Sequence, residues 1–255
     1  MPSQKDKASH FHSLHVKGDP VVLYNIWDPG SANAVEGAGA KALATGSAPV
    51  AMAQGYGDGQ QLPMDVSLAN AKAIAERTDL PLSLDFEGGY AVEPAEIQTN
   101  VAKALETGVV GFNFEDQIVG GDGLYDMDTQ AARVAAVCAA IDASGVDAYL
   151  NARTDIFLKN KPDTHNEAML EEAITRAKAY EDAGASGFFA PLLMDEAMIG
   201  KLCEATNLPV NIIALPGCPP KARLAELGVA RLSYGPVAYK QAMAGLAQAA
   251  AEAFA

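Results

Sequence analysis

The sequence of 255 residues predicts a single (β/α)8 barrel. Two observations lead to this prediction: short apolar runs alternate with helical patterns along the whole chain, and several of these runs end at charged or amide side chains. Short, nearly continuous apolar runs are typical of buried parallel strands, and eight strand–helix units in about 250 residues are typical of such a barrel. Because no linker-like change of composition divides the chain, we interpret residues 1–255 as one domain with a C-terminal helical segment.

Eight apolar runs carry the strand predictions, and helical patterns lie between most of them. The predicted strands are at about 21–26, 42–45, 80–87, 109–116, 147–153, 185–190, 208–214 and 229–234. Apolar residues at helical spacing predict helices over residues 94–107 and 167–183. A glycine stands shortly before several strands, as at Gly108 and Gly145, where it would end the preceding helix. The Ala-rich stretch from Gln241 to Ala255 predicts a last helix.

The composition excludes several classes of function. With 18 Lys and Arg against 32 Asp and Glu, the net charge is −14, which argues against a nucleic-acid partner. The three cysteines have no paired spacing, so we expect neither a disulfide framework nor a zinc motif. The start of the chain lacks the apolar segment of a signal peptide, and no apolar stretch is long enough for a membrane span. We therefore expect a cytoplasmic location and no membrane partner.

Acidic side chains gather at the ends of two predicted strands. Asp85 and Glu87 are two residues apart and would project from one face of a strand, and Glu115 ends the next strand. Asp58 lies in a Gly-rich loop and completes the acidic set. Converging carboxylates repel one another unless a cation lies between them, and such oxygen ligands suit Mg²⁺ or Mn²⁺. The alternative is that these residues are helix caps and solvated loop acids.

Arg153, at the end of the fifth strand, is the candidate for binding an anionic group of a substrate. Its guanidinium is suited to hold a carboxylate or phosphate through two hydrogen bonds. The alternative is an internal salt bridge with Asp155 or Glu115. Trp27 follows the first strand and either covers the site or packs in the core.

Thr45, Gly46 and Ser47 follow the second strand. Backbone N–H groups beside such small residues bind anions in many proteins, although three residues of this kind also occur in ordinary turns.

Together these motifs resemble the isocitrate lyase/phosphoenolpyruvate mutase superfamily over about residues 12–240. The resemblance rests on five segments, namely 25–32, 85–90, 111–117, 151–155 and 232–236. It implies a (β/α)8 barrel whose eighth helix is exchanged between subunits, in a homotetramer that is a dimer of dimers. The exchanged helix would lie in the Ala-rich C-terminal region.

The resemblance also implies roles for residues of this chain. Members of the superfamily act on α-keto or α-hydroxy acids and break C–C or P–C bonds next to an enolate that Mg²⁺ stabilises. By this resemblance the metal-site acids are Asp85, Glu87 and Glu115, and the catalytic set includes Asp58, Glu115 and Arg153. The expected substrate-binding residues are Trp27, Thr45, Gly46, Ser47, Arg153 and Asn211.

Two departures from the family pattern narrow the range of expected reactions. Glu87 stands where the usual motif has Asp. The loop over residues 117–126 lacks the cysteine, histidine and lysine of isocitrate and methylisocitrate lyases, so a cysteine-dependent cleavage is disfavoured.

We therefore predict a Mg²⁺-dependent carbon–carbon lyase acting on a small α-keto or α-hydroxy carboxylate, of the oxaloacetate-decarboxylase type. Tyr56, Tyr125 or a water would protonate the enolate. The alternatives are a phosphonopyruvate mutase or hydrolase and a keto-acid-binding protein without activity.

Overall fold

The computed structural model describes residues 2–255, in which strands and helices alternate as predicted. The strands are β1 (Val21–Leu23), β2 (Leu43–Ala44), β3 (Leu82–Asp85), β4 (Gly111–Glu115), β5 (Tyr149–Arg153), β6 (Gly187–Phe189), β7 (Val210–Ile213) and β8 (Arg231–Ser233). The helices are α1 (Gln4–Ser13), α2 (Pro29–Gly37), α3 (Ser47–Ala53), α4 (Met64–Ala75), α5 (Pro94–Leu105), α6 (Met127–Ser144), α7 (Glu167–Asp182), α8 (Glu196–Ala205), α9 (Lys221–Glu226) and α10 (Val237–Phe254).

The eight strands form one parallel barrel. Their order in the sheet is β1-β8-β7-β6-β5-β4-β3-β2, and each strand pairs in parallel with the next strand in this order. Just beyond β1 and β2, Ile26 and Thr45 form a parallel bridge that closes the ring. In this bridge the N–H of Ile26 donates to Ala44 O at 2.9 Å, and the N–H of Gly46 donates to Ile26 O at 3.2 Å. The predicted (β/α)8 barrel is therefore confirmed.

The third strand is shorter than predicted, and this changes how Glu87 is placed. We expected a strand over residues 80–87, but β3 ends at Asp85. Glu87 lies in a turn with a left-handed φ of 50°, which is uncommon for a residue with a side chain. The N–H of Gly89 donates to Phe86 O at 2.9 Å and the N–H of Glu115 donates to Glu87 O at 3.0 Å. Hydrogen bonds of a turn, rather than strand alternation, therefore bring Glu87 beside Asp85.

Large side chains fill the amino end of the barrel. Phe11 at the end of α1 packs edge-on against Tyr149, whose ring stacks on His15 with centroids 3.9 Å apart. Glycine is required opposite these rings, because a Cβ on Gly111 would lie 2.7 Å from the Phe11 ring. With this end packed, the carboxyl ends of the strands are left to form a cavity, as in barrels of this type.

The last helix has no packing partner along most of its length. In α10 residues 240–249 are all exposed, and Leu246 and Phe254 are 63% and 88% exposed. A groove of 690 Å³ runs beside β1, and its lining combines apolar residues such as Leu14, Val22 and Val35 with the charged residues Asp19, Lys41 and Lys221. Among residues 2–255, no helix combines the length and the apolarity that a membrane span requires.

Candidate active site

A cavity of 190 Å³ opens at the carboxyl ends of the strands, and both polar and apolar side chains line it. The polar lining consists of Asn25, Ser47, Asp58, Asp85, Asn113, Arg153 and Ser233. The apolar lining includes Leu158, Phe189, Pro191, Ile213 and Pro236. Such a combination of polar and apolar surface is typical of sites for small organic ligands.

Asp85, the last residue of β3, is one of the polar residues that line the cavity. Its Oδ2 accepts hydrogen bonds from the backbone N–H and the hydroxyl of Ser47, at 2.8 and 2.9 Å. Its Oδ1 is buried and has no hydrogen-bond partner within residues 2–255. Because buried polar atoms are nearly always paired, a carboxylate oxygen without a donor marks a place where a cation would bind.

Two further carboxyl groups lie close enough to Asp85 to be affected by its charge. Glu87 is buried, and its Oε2 accepts from the N–H of Gln60 at 2.8 Å. Burial, followed by the charge of Asp85, raises the pKa of Glu87 to about 8. Burial and then Asp85 also raise the pKa of Asp58. A cation among these groups would relieve their mutual repulsion.

Arg153 is already paired with two acidic residues. Its Nε and Nη2 donate to the two carboxylate oxygens of Asp155 at 2.6 and 3.0 Å, and its Nη1 lies 2.9 Å from Glu115 Oε2. The internal salt bridge considered as an alternative for Arg153 is therefore present, although Arg153 also lines the cavity. A substrate anion at Arg153 would have to compete with these carboxylates.

Glu115 is buried at the end of β4 and shares that one guanidinium with Asp155. Burial raises the pKa of Glu115 to about 8, against the opposing effect of Arg153. Gln117 donates from its side-chain amide to Glu115 Oε1. The negative charges of Asp155 and Asp85 also raise the pKa of Glu115, so negative charge exceeds positive charge around this residue.

The predicted metal-site acids do not form a ready-made cage. Within residues 2–255, no three His, Cys, Asp or Glu side chains converge into a group that could hold an ion by direct contact. Glu87 and Glu115 are instead held by Gln60 and Arg153. The donor set nevertheless fits Mg²⁺, which commonly binds to one or two carboxylates and keeps several waters. Asp85 has the free oxygen that such an ion needs.

The predicted substrate cradle at the end of β2 is near the cavity, but its N–H groups are engaged. Gly46 and Ser47 line the cavity. The N–H of Gly46 closes the barrel by bonding to Ile26, and the N–H of Ser47 bonds to Asp85. Thr45 is buried, and its Oγ1 accepts from the N–H of Asp85 at 3.0 Å. Through these hydrogen bonds the segment holds Asp85 in place.

Trp27 and Asn211 are not part of the cavity lining. The ring of Trp27 packs edge-on against Tyr239 of α10, with centroids 5.2 Å apart. Asn211 is fully buried and exchanges two hydrogen bonds with Ser233, at 3.1 and 3.2 Å. Because Ser233 lines the cavity, Asn211 would influence a ligand through that hydroxyl.

Neither of the candidate proton donors lines the cavity. Tyr56 is 43% exposed, and the ring of Tyr125 packs under the guanidinium of Arg133 at 4.0 Å. The loop after β4 forms a short hairpin in which Gln117 bridges to Leu124. The geometry therefore gives neither tyrosine direct access to the cavity.

Sequence reasoning missed three polar residues that line the cavity: Asn25, Asn113 and Ser233. Asn25 Oδ1 accepts from the N–H groups of Tyr234 and Gly235, both at 2.8 Å, and so ties the end of β1 to the end of β8. Asn113 lies two residues before Glu115 on β4 and therefore faces the same side of the strand. This spacing was the signal that could have identified Asn113.

Known proteins share this architecture and much of this sequence. The family profile of phosphoenolpyruvate phosphomutase matches residues 11–254. A solved structure from Burkholderia cenocepacia, described as a candidate phosphonomutase, is 43% identical and superposes with a TM-score of 0.96, covering 98% of this chain and 100% of that one. The uncharacterized protein Rv1998c of Mycobacterium tuberculosis is 36% identical, covering 94% of this chain and 87% of its own. An oxaloacetate decarboxylase of Pseudomonas savastanoi is 23% identical, covering 93% of this chain and 81% of its own.

The fold, the arrangement of acidic residues and these similarities agree. This chain belongs to the phosphoenolpyruvate phosphomutase family, within the isocitrate lyase/phosphoenolpyruvate mutase superfamily.

Proposed function

We propose that this protein is a Mg²⁺-dependent lyase that cleaves a carbon–carbon bond of a small α-keto or α-hydroxy carboxylate, in the manner of an oxaloacetate decarboxylase. The observation that carries the proposal is the buried, unpartnered Oδ1 of Asp85 at the mouth of the barrel. The relative named oxaloacetate decarboxylase supports the choice of reaction. The cavity of 190 Å³ suits a ligand of a few carbon atoms.

In this proposal Asp85 would hold the ion, with Glu87, Glu115 and Asp58 contributing negative charge around it. When bound, Mg²⁺ supplies a Lewis acid that favours negative charge on the keto oxygen. Ser47 fixes the orientation of Asp85 through two hydrogen bonds. Arg153 limits the repulsion between Glu115 and Asp155 because it bridges both carboxylates.

The reaction needs no cysteine acid. When an α-keto dicarboxylate loses CO₂, the electrons of the broken C–C bond pass into an enolate, and one proton on carbon completes the formation of pyruvate. Since Tyr56 and Tyr125 do not line the cavity, we assign the proton to a water. Leu158, Phe189 and Ile213 add apolar surface to the lining, which disfavours the binding of further water.

Phosphorus–carbon chemistry is the second candidate, favoured by the similarity to the candidate phosphonomutase. In that case Arg153 would hold the phosphoryl oxygens. Three of its five N–H groups face Asp155 and Glu115 in this structure, so only two remain to hold a phosphoryl group. Because the carbon–carbon proposal leaves Arg153 with both carboxylates, it is the better-supported proposal.

The test measures pyruvate formed from oxaloacetate by the purified protein with Mg²⁺ and with EDTA, against the spontaneous rate. We expect formation above the spontaneous rate only with Mg²⁺. Phosphate released from phosphonopyruvate, without metal-dependent pyruvate from oxaloacetate, would favour the second candidate. A protein that binds oxo acids and converts neither substrate would contradict both proposals of activity.

The assembly is a separate proposal. The exposed α10 carries the apolar side chains Leu246 and Phe254, and apolar residues line part of the groove beside β1. We therefore propose that α10 of one subunit packs against another copy of the chain in a homo-oligomer.

A further inference from the structure

A positively charged side chain lies buried in the protein without an acidic partner. Arg231, the first residue of β8, is 1% exposed. Burial lowers its pKa to about 10, so it remains charged at neutral pH. Within residues 2–255 it forms no salt bridge, and its Nε and Nη1 have no hydrogen-bond partner. Since a buried charge without a partner is costly, the one hydrogen bond that Arg231 does make is of interest.

That hydrogen bond determines the orientation of Asn113. Arg231 Nη2 donates to Asn113 Oδ1 at 3.0 Å. A guanidinium has no acceptor atom, so the oxygen of the Asn113 amide must face Arg231. Asn151 Nδ2 donates to the same oxygen at 2.9 Å. With two donors on Oδ1, the amide is held in one orientation and its Nδ2 must point elsewhere.

The Nδ2 of Asn113 is directed to the cavity. Asn113 lines the cavity, lies beside Asp85 in the pairing of β3 with β4, and faces the same side of β4 as Glu115. Nδ2 donates to no other residue within 2–255, and it is not among the buried atoms that lack a partner. It is therefore a free donor that a ligand can reach.

Other donors of the cavity are wholly or partly engaged. The hydroxyl of Ser47 donates to Asp85, and that of Ser233 donates to Asn211. One N–H of the Asn25 amide donates to Thr45 O, and three of the five N–H groups of Arg153 face Asp155 and Glu115. A ligand rich in oxygen needs donors, and the acidic residues supply none when they are ionised.

We propose that Asn113 binds an oxygen of the oxo-acid substrate through its Nδ2 and that Arg231 is a positioning residue that holds the Asn113 amide in this orientation. This inference rests on the proposed function, because it takes an oxo acid as the ligand. A hydrogen bond from Nδ2 strengthens as negative charge develops on the oxygen that it contacts. The positive charge of Arg231 on the far side of the amide polarises the N–H group in the same sense.

The test measures oxalate binding by titration calorimetry in the presence of Mg²⁺, for the wild type and for N113A, N113D, R231Q and the double variant N113A/R231Q. Asp at position 113 keeps an acceptor for Arg231 but has no Nδ2 donor when ionised, and Ala removes both groups without adding charge. Thermal unfolding of each variant shows which of them fold. We expect N113A and N113D each to weaken oxalate binding roughly tenfold or more, as for a lost hydrogen bond to a charged group.

The double variant tests the role of Arg231. If Arg231 acts through Asn113, R231Q weakens oxalate binding on its own but adds nothing to N113A. An equal loss from R231Q in both backgrounds would overturn the positioning role.

Wild-type affinity in a folded N113A or N113D would overturn the binding role of Asn113 while leaving the proposed function intact. If N113A does not fold, the affinity of folded N113D for oxalate is the deciding measurement. A wild type that binds no oxalate and converts no oxo acid would overturn the proposed function as well, so the two failures are distinguishable.

Discussion

Replacing Asp85 with Asn tests the electrostatic account of the site because it removes one charge and preserves the local hydrogen bonds. Both bonds from Ser47 end on Oδ2, and an amide oxygen at that position accepts both. The substitution therefore changes only the unpartnered Oδ1 and the net charge. Its effect on stability should come from electrostatics rather than from packing.

The magnitude follows from the neighbouring acids. The pKa of Glu87 rises from 4.5 to about 8, which corresponds to roughly 5 kcal/mol against its ionised form at about 1.4 kcal/mol per pKa unit. Burial is the larger cause and Asp85 the next. We therefore expect D85N, without metal, to be more stable than the wild type by about 1 kcal/mol.

Magnesium should stabilise the wild type and leave the stability of D85N unchanged. Binding to the folded state alone stabilises a protein by about 2.7 kcal/mol when the free ligand is at a hundred times its Kd. We expect this gain in the wild type and none in D85N, measured by urea unfolding at pH 7.5 in EDTA and in Mg²⁺. D142N, which removes an exposed charge on α6, is the matched control and should retain the wild-type response. A D85N protein that Mg²⁺ still stabilises as much as the wild type would refute the reasoning.

Three further results are expected. Burial, followed by the charge of Arg231, lowers the pKa of His15 in the folded state to about 3, whereas the pKa in the unfolded chain is about 6.5. Between these two pH values the unfolded chain binds one more proton than the folded protein. The free energy of unfolding should therefore fall as the pH drops from about 6.5 toward 3, by up to about 1.4 kcal/mol per pH unit. H15Q should flatten that part of the curve in urea unfolding, and an unchanged slope would contradict the assignment. G187A should lower stability by about 1–3 kcal/mol, because the added Cβ would overlap Tyr149 Oη, and a thermal midpoint equal to that of the wild type would contradict this packing. In light scattering, the mass of the wild type should exceed that of one 26.5 kDa chain. The substitution L246D, on the exposed face of α10, should shift the measured mass toward that of the monomer. A wild-type monomer would contradict the packing of α10 against another copy of the chain.

The barrel could be predicted from the sequence because its strands are buried. A parallel strand covered on both sides is largely apolar, as β1 (Val21–Leu23) and β6 (Gly187–Phe189) show directly. The ends of the strands could not be predicted as well. Glu87 continues the pattern of β3 in the sequence, yet hydrogen bonds from neighbouring residues hold it in a left-handed turn.

The types of residue in the site were predictable, but their pairing was not. Asp85 and Arg153 follow strand ends, and parallel strands of a barrel end on one face. Whether Arg153 is free or paired depends on Asp155 Oδ1 lying 2.6 Å from its Nε, and a linear pattern does not contain that distance. Asn113 was missed for a related reason. Its importance comes from Arg231, which is 118 residues away in the chain.

The most direct test of the central claim is a crystal structure of the protein soaked with Mn²⁺ and oxalate, with anomalous scattering used to locate the metal. The account predicts one strong anomalous peak at about 2.2 Å from Asp85 Oδ1, a distance typical of such oxygen ligands, with oxalate beside it in the cavity. Anomalous density elsewhere and none at Asp85, in protein that remains active with the same metal, would contradict it.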